Sequence, residues 1–214
     1  MEMQLIEKQK AKGTKYLERA LSAFLGHGKL TSKLSQVLAH AAIKGTVSYQ
    51  QIQGIIKDDP EDVLLLADKW RLLLPVRTVK SSGWEDRLLT MKDGEAYEMP
   101  NIVRYMASEA LKSGTWNSEN AIGELFKEFN DPNCKQIPEL VRRIAEEAGD
   151  QQISGNHIKK ICLRLGLSKR VDGLIGGLKA AGIISPKLRS FPEVFKAGSP
   201  IYELNPSVAV GISI

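Results

Sequence analysis

Residues 153–168 read ISGNHIKKICLRLGLS, and this stretch decides the fold of the second half of the chain. Its apolar residues recur at the spacing of one helix face, at Ile158, Ile161, Cys162 and Leu165. This spacing predicts a helix over Ser154–Leu165, which Gly166 ends. Ser168 is a favourable N-cap and predicts a second helix that runs to about Gly182. The stretch therefore predicts two helices joined by a tight turn.

The sequence on either side extends this pattern. Two amphipathic helices are predicted upstream, over Asn120–Phe129 and Pro138–Ala148. Downstream, Ile183–Arg189 and Pro200–Asn205 read as extended segments separated by a loop that contains proline and glycine. The predicted order of elements in the second half is therefore four helices followed by a β-hairpin.

The first half follows a similar order. Helices are predicted over Lys15–Leu25, Ser32–Ile43, Ser48–Ile56, from Asp58 to about Leu73, and over roughly Asn101–Lys112. A hairpin is predicted after Pro75, with strand-like sequence over Val76–Lys80 and Arg87–Met91. The charged segment Glu2–Lys12 is only weakly amphipathic, and Gly13-Thr14 predicts a break before the first helix.

The length of the chain agrees with two domains of ordinary size. It has 214 residues, 43% of them hydrophobic and 26% charged, which is close to the average for globular proteins. The helix over Asn101–Lys112 ends at Ser113-Gly114, where we place the boundary. The predicted domains are therefore residues 1–113 and 114–214.

A helix, a turn, a second helix and then a β-hairpin is a layout that resembles winged-helix domains. The residues that carry the resemblance are Ile153–Ser168, Leu178–Ile184 and Pro200–Pro206, within a region from Lys135 to Pro206. Lys29–Met91 looks similar but less sharply so. The resemblance implies a mainly α protein with small β-hairpins (α+β), made of two winged-helix domains in tandem joined by a helical linker. Such domains mostly bind nucleic acid, and a substantial minority bind proteins, so the fold alone does not decide the function.

Charge is segregated along the chain. The net charge is +5 overall, yet Lys8–Lys44 carries eight basic residues and one acid, a balance of +7. His157–Lys196 has nine basic residues against two acids, again +7, whereas Asn117–Asn156 has eight acids against four basic residues. The second helix-turn-helix is therefore basic, as a DNA-binding surface would be.

The resemblance implies a recognition helix whose N-terminal residues enter the major groove. The candidate DNA-binding residues of this helix are Ser168, Lys169, Arg170, Gly173, Gly176 and Lys179. The candidate phosphate contacts are Asn156, His157, Lys159, Lys160, Arg164, Lys187 and Arg189. If about six contacts form, the logarithm of affinity should fall with the logarithm of salt at a slope near −5. The alternative is a solvated basic face with no ligand.

Glycines in the last helix invite comparison with a phosphate-binding loop, but residues 173–179 lack the preceding strand and the Gly-Lys-Ser/Thr ending. Each interior glycine should weaken the helix by roughly 1 kcal/mol relative to alanine. Close approach of a DNA backbone or a neighbouring helix would explain them, and so would packing within the domain.

The corresponding helix of the first half starts with Asp58-Asp59-Pro60-Glu61-Asp62, whose four carboxylates would repel phosphates. We therefore expect it to contact protein instead of DNA. The candidate interface residues are Leu64, Leu65, Leu72 and Trp84. The apolar C-terminal segment, Val208–Ile214, is expected to form an added strand or a dimer contact, with disorder as the competing outcome.

No pattern predicts catalysis, a cofactor or a metal site. The histidines are scattered at His27, His40 and His157, and the chain contains no HExxH, CxxC or GxSxG pattern. Cys134 and Cys162 are interpreted as reduced thiols. The sequence has neither the apolar core of a secretory signal nor the ~20 apolar residues of a membrane span, so we expect a cytoplasmic protein without a membrane partner.

These observations favour a transcriptional regulator that binds duplex DNA through its second domain, with the first domain as a protein or domain interface. RNA in place of DNA stays open, as does a homodimer. The alternative is a scaffold subunit without enzymatic activity, whose winged helices contact other proteins.

Overall fold

A computed structural model describes residues 2–77, 83–187 and 198–212, and for residues 2–10 it describes the backbone alone. The chain divides into two compact units that are not consecutive in sequence. Unit 1 comprises Met1–Val76 and Leu89–Asn117, and unit 2 comprises Arg77–Leu88 and Ser118–Ile214. The division falls four residues after the predicted boundary, and it assigns the segment 77–88 to the second unit.

Unit 1 consists of five helices around one small sheet. Its elements are α1 (Glu2–Leu25), α2 (Lys29–Lys44), β1 (Thr46–Ser48), α3 (Tyr49–Ile55), α4 (Pro60–Lys69), β2 (Leu74–Pro75), β3 (Ala96–Glu98) and α5 (Asn101–Ser113). The sheet is antiparallel with strand order β1-β3-β2. Its central strand places the buried side chain of Tyr97 opposite Val47.

Local sequence explains how α2 ends and α3 begins. Gly45 adopts a left-handed conformation (φ 78°) and donates its N–H to Ala41 O at 2.7 Å, which terminates α2. A capping box between Ser48 and Gln51 then starts α3. Only two residues lie between Gly45 and Ser48, so the strand β1 is short.

The break predicted at Gly13-Thr14 is wrong, because α1 is continuous from Glu2 to Leu25. A Cβ atom at Gly13 would lie 3.2 Å from the carbonyl oxygen of Leu111 in α5. The glycine therefore allows α1 and α5 to approach closely. Its cost to helix propensity is about 1 kcal/mol, which the packing of a long helix offsets.

The strand predicted over Arg87–Met91 is also wrong. The returning strand is Ala96–Glu98, and residues 87–91 form turns and irregular structure. The true strand pairs with β1 as well as with β2, so its position depends on a partner distant in sequence and not on local alternation. Of the other predicted strand, Thr78–Lys80 lies outside the described residues.

Unit 2 repeats the order seen in unit 1. Its elements are α6 (Ser118–Glu128), α7 (Ile137–Glu147), β4 (Gln152–Ser154), α8 (Gly155–Arg164), a 3₁₀ turn (Ser168–Arg170), α9 (Val171–Ala181), β5 (Ile184–Pro186), β6 (Ile201–Leu204) and α10 (Pro206–Ala209). The sheet is antiparallel with strand order β4-β6-β5. Ile153 lies opposite Tyr202 on the central strand.

The two units share one topology. In each, a helix is followed by a short strand, two helices and two further strands, and the last strand pairs with both of the others. The fold is thus mainly helical with small three-stranded antiparallel sheets, which confirms the α+β class. The first strand of each sheet, β1 and β4, was not predicted.

Two predictions about the end of unit 2 need correction. The helix predicted from Ser168 begins with a 3₁₀ turn, and the α-helix starts at Val171. The C-terminal segment is not an added strand over its described part, because Pro206–Ala209 forms α10. Val208 is fully buried, and its carbonyl accepts the hydroxyl of Ser118 at 2.7 Å, so this segment belongs to the core of unit 2.

Candidate nucleic-acid interface

Four of the predicted contact residues are exposed lysines on α8, in the 3₁₀ turn and on α9. They are Lys159, Lys160, Lys169 and Lys179. Within the described ranges, none of the four forms an ion pair, in contrast to the neighbouring cations. Lys159 and Lys169 line one cleft of about 220 Å³, together with Ser168, Asp172 and Gly173. The fold therefore brings lysines of two elements to the same place.

The exposed face of α9 is bare backbone at two positions. Gly173 and Gly176 are exposed, and a Cβ atom at either would meet no described heavy atom within 4 Å. Gly177 differs, because its Cβ would lie 3.0 Å from Cε1 of Phe126. Packing within unit 2 thus explains Gly177 but neither of the other two glycines.

Two predicted phosphate contacts on α8 already share one carboxylate. Glu147, the last residue of α7, accepts hydrogen bonds from His157 Nε2 at 2.7 Å and from Arg164 Nη2 at 2.5 Å. The hydrogen bond from His157 is the largest cause that lowers the pKa of Glu147, and Arg164 adds to it, although partial burial opposes both. The carboxylate is therefore ionised at neutral pH and neutralises part of the predicted basic surface.

Arg170, which was expected to face DNA, instead holds the loop after α6. Its guanidinium donates to both carboxylate oxygens of Asp131, at 2.7 and 3.1 Å, and to Asn133 Oδ1 at 2.6 Å. Burial acts to raise the pKa of Asp131, but the hydrogen bonds from Arg170 and from the Asn133 N–H outweigh it and lower the pKa. This two-pronged contact fixes the start of α9.

Two further predicted contacts, Lys187 and Asn156, already have partners within unit 2. Lys187 Nζ is 3.2 Å from Glu85 Oε1, within the 77–88 segment of unit 2. Asn156 donates its side-chain amide to Gly198 O at 3.3 Å and its N–H to Ser199 Oγ at 3.1 Å, so it anchors the loop before β6. Arg189 lies outside the described residues.

Sequence reasoning found the cations but missed the acids that bind them. Asp131 and Glu147 lie in the acidic stretch Asn117–Asn156, whose charge was the one available signal. Glu85 gave no signal, because it approaches Lys187 from a segment about 100 residues earlier in the chain.

The predicted protein interface is largely wrong. Leu64 and Leu72 are 1% and 0% exposed and belong to the core of unit 1. Trp84 is 6% exposed, so its ring is not a surface anchor. Its backbone N–H donates to Ser185 Oγ at 3.0 Å inside unit 2. Leu65 alone among the four is exposed, at 53%. Leu64 is buried on α4 beside Val63, and Leu72 is buried in the connection that follows the helix.

The described residues contain no group of three His, Cys, Asp or Glu side chains that could hold a metal ion. Cys162 is buried as predicted, and burial raises the pKa of its thiol. Over the same described ranges, the helices are all too short or too polar to cross a membrane.

These features define a protein of two repeated α+β units. In unit 2, the neighbouring helices α8 and α9 carry exposed lysines. Residues 19–212 match the model of a protein family whose function is not established, so the chain belongs to this family. No curated protein and no solved structure matches the chain.

Proposed function

We propose that both units are winged helices and that unit 2 binds duplex DNA with α8, the 3₁₀ turn and α9. The order of helices and strands in each unit supports this assignment, since a short strand between the first two helices pairs with the last strand of the hairpin. In such domains the third helix enters the major groove and the preceding helix lies against the backbone. These two helices correspond to α9 and α8.

One observation carries the proposal: exposed lysines, which form no ion pair with any described residue, lie near two exposed glycines of α9. Lys159 and Lys169 border the cleft at the start of α9, and the backbone is accessible at Gly173 and Gly176. Two interior glycines cost a helix about 2 kcal/mol in sum. Close approach of a DNA backbone would offset that cost, and lysines beside it would contact phosphates.

The ion pairs reduce the electrostatic part of binding that the sequence predicts. His157, Arg164, Arg170 and Lys187 each have a carboxylate partner, which leaves four of the predicted basic side chains within the described ranges for phosphates. With about 0.9 counterions released per contact, the slope of log affinity against log salt should be about −3.6 instead of −5.

The experiment is a fluorescence-anisotropy titration of a random-sequence duplex at several salt concentrations between about 50 and 200 mM. The double variant Lys159→Ala, Lys169→Ala should bind more weakly. Its slope of log affinity against log salt should be shallower by about 1.8, since two phosphate contacts are lost. Its matched control is Lys57→Ala, Lys69→Ala, which removes the same charge from exposed positions of unit 1. Equal weakening by both variants, or no binding at low salt, would refute the proposal.

We also propose a cytoplasmic location and a role in transcription regulation. Both would be tested by locating the tagged protein and by mapping the DNA sites that it occupies in cells. Sites enriched upstream of genes would support regulation.

A second candidate function, docking of a protein, is favoured by Leu163. This side chain is 66% exposed on α8, between the basic residues Lys160 and Arg164 in sequence. A leucine on the surface that is proposed to bind a partner can contribute apolar contact area to a protein interface, although single exposed apolar residues are common on protein surfaces. If the chain binds no duplex DNA and a Leu163→Ser variant loses a protein that co-purifies with the parent, this function is supported over the first.

A further inference from the structure

Three side chains that can carry a positive charge follow one stripe of α8. His157, Lys160 and Arg164 are spaced by three and four residues, so their side chains lie along the same side of the helix. Glu147 binds the first and the last of them, with one carboxylate oxygen each. Lys160, between them, is exposed and has no ion-pair partner among the described residues.

The bound carboxylate resembles a bound phosphate in its chemistry. It is an anion that accepts one charge-assisted hydrogen bond from a guanidinium and one from an imidazole. Arginine contacts DNA phosphates through the same N–H groups, because it presents planar donors to paired oxygens. While Glu147 holds the Nη2 donor of Arg164, that donor is not available to DNA, and the carboxylate charge beside it opposes the approach of a phosphate.

We propose that Glu147 occupies, in the free protein, the place of a DNA phosphate on α8 and so limits the affinity for DNA. The inference rests on the function proposed above and concerns the regulation of that same surface. Phosphate must displace the carboxylate or bind beside it, against its charge. The carboxylate thereby favours DNA sites whose other contacts are strong enough to release Arg164.

The position of Glu147 suits this role. It is the last residue of α7, and its side chain is 26% exposed, whereas those of His157 and Arg164 are 44% and 59% exposed. The carboxylate is thus less exposed to solvent than its two partners, His157 and Arg164. A phosphate can approach the partners from outside without first unfolding α7.

The test measures DNA affinity and salt slope for Glu147→Gln in the full chain. The amide keeps the shape of the side chain but carries no charge, so its hold on Arg164 is reduced to that of a neutral acceptor and a phosphate competes for the guanidinium more easily. We expect binding at about 50 mM salt to tighten roughly 3- to 10-fold, with a slope steeper by about 0.9, as one further phosphate contact predicts.

The matched control is Glu146→Gln. Glu146 is the neighbouring residue, but it pairs with Arg142 and Arg143 of its own helix. Both variants change the net charge equally, so only a specific effect distinguishes them. Circular dichroism of each variant confirms that α7 is intact.

A double-mutant cycle assigns the effect to Arg164. The gain from Glu147→Gln should disappear in an Arg164→Ala background if the carboxylate acts by holding this guanidinium. An equal gain in Glu146→Gln, or a gain that persists without Arg164, overturns the inference while the proposed function stands. Absence of DNA binding by the unmodified chain and by Glu147→Gln overturns both.

Discussion

At the scale of single residues, Tyr97 shows how burial sets a protonation state. Tyr97 is 1% exposed, and its hydroxyl donates to Thr90 O at 2.5 Å. Burial raises the pKa of this hydroxyl to about 12, and the negative charge of Glu95 adds to the effect. An unfolded tyrosine loses its proton near pH 10, so the free energy of unfolding should be unaffected below about pH 10 and should fall by about 2–3 kcal/mol towards pH 12. Denaturant unfolding of the chain and of Tyr97→Phe across this range measures the difference. The pKa values of Tyr49 and Tyr202 are also raised, so the variant should keep part of the fall in the free energy of unfolding at high pH. If Tyr97→Phe loses as much stability as the parent between pH 10 and pH 12, the prediction is contradicted.

At the scale of elements, α9 should trade stability against binding. Gly176→Ala adds a Cβ where no described atom lies within 4 Å, so the free energy of unfolding should rise by about 0.5–1 kcal/mol. The same methyl group would separate the helix from a DNA backbone, and affinity for duplex should fall. Thermal unfolding and anisotropy titration of one variant measure both effects.

Gly177→Ala is the internal control for α9. It makes the same change one residue along the helix, but its Cβ would lie 3.0 Å from the Phe126 ring, so the gain in stability should be lost. If Gly176→Ala is stabilising and binds DNA as tightly as the parent, the bare face of α9 is not where DNA approaches.

At the scale of the whole molecule, the sequence predicted helices well and long-range relations poorly. The helix of residues 137–147 and the end of α9 at Gly182 followed from periodicity and glycine, because these signals are local. β1 and β4 were missed, since three-residue strands are specified by partners about 50 residues away. The burial of Leu72 and the pairing of Arg170 with Asp131 were missed for the same reason: each depends on a contact that no local pattern encodes.

The non-consecutive make-up of unit 2 leads to a prediction about its stability. Residues 77–88 belong to this unit, where Gly83 lies so close to β5 that a Cβ atom would be 2.4 Å from the carbonyl oxygen of Pro186. Neither backbone can accommodate a methyl group there without moving, so Gly83→Ala should disturb the Trp84–Ser185 hydrogen bond and lower the free energy of unfolding by about 1–3 kcal/mol. Hydrogen exchange should show the loss of stability as faster exchange of the amides of β5 and β6.

Gly54→Ala in α3 is the matched control for Gly83→Ala. Its Cβ would meet no atom within 4 Å, so the free energy of unfolding should be unchanged or higher. Equal stability of the two variants would mean that residues 77–88 do not contribute to the second unit.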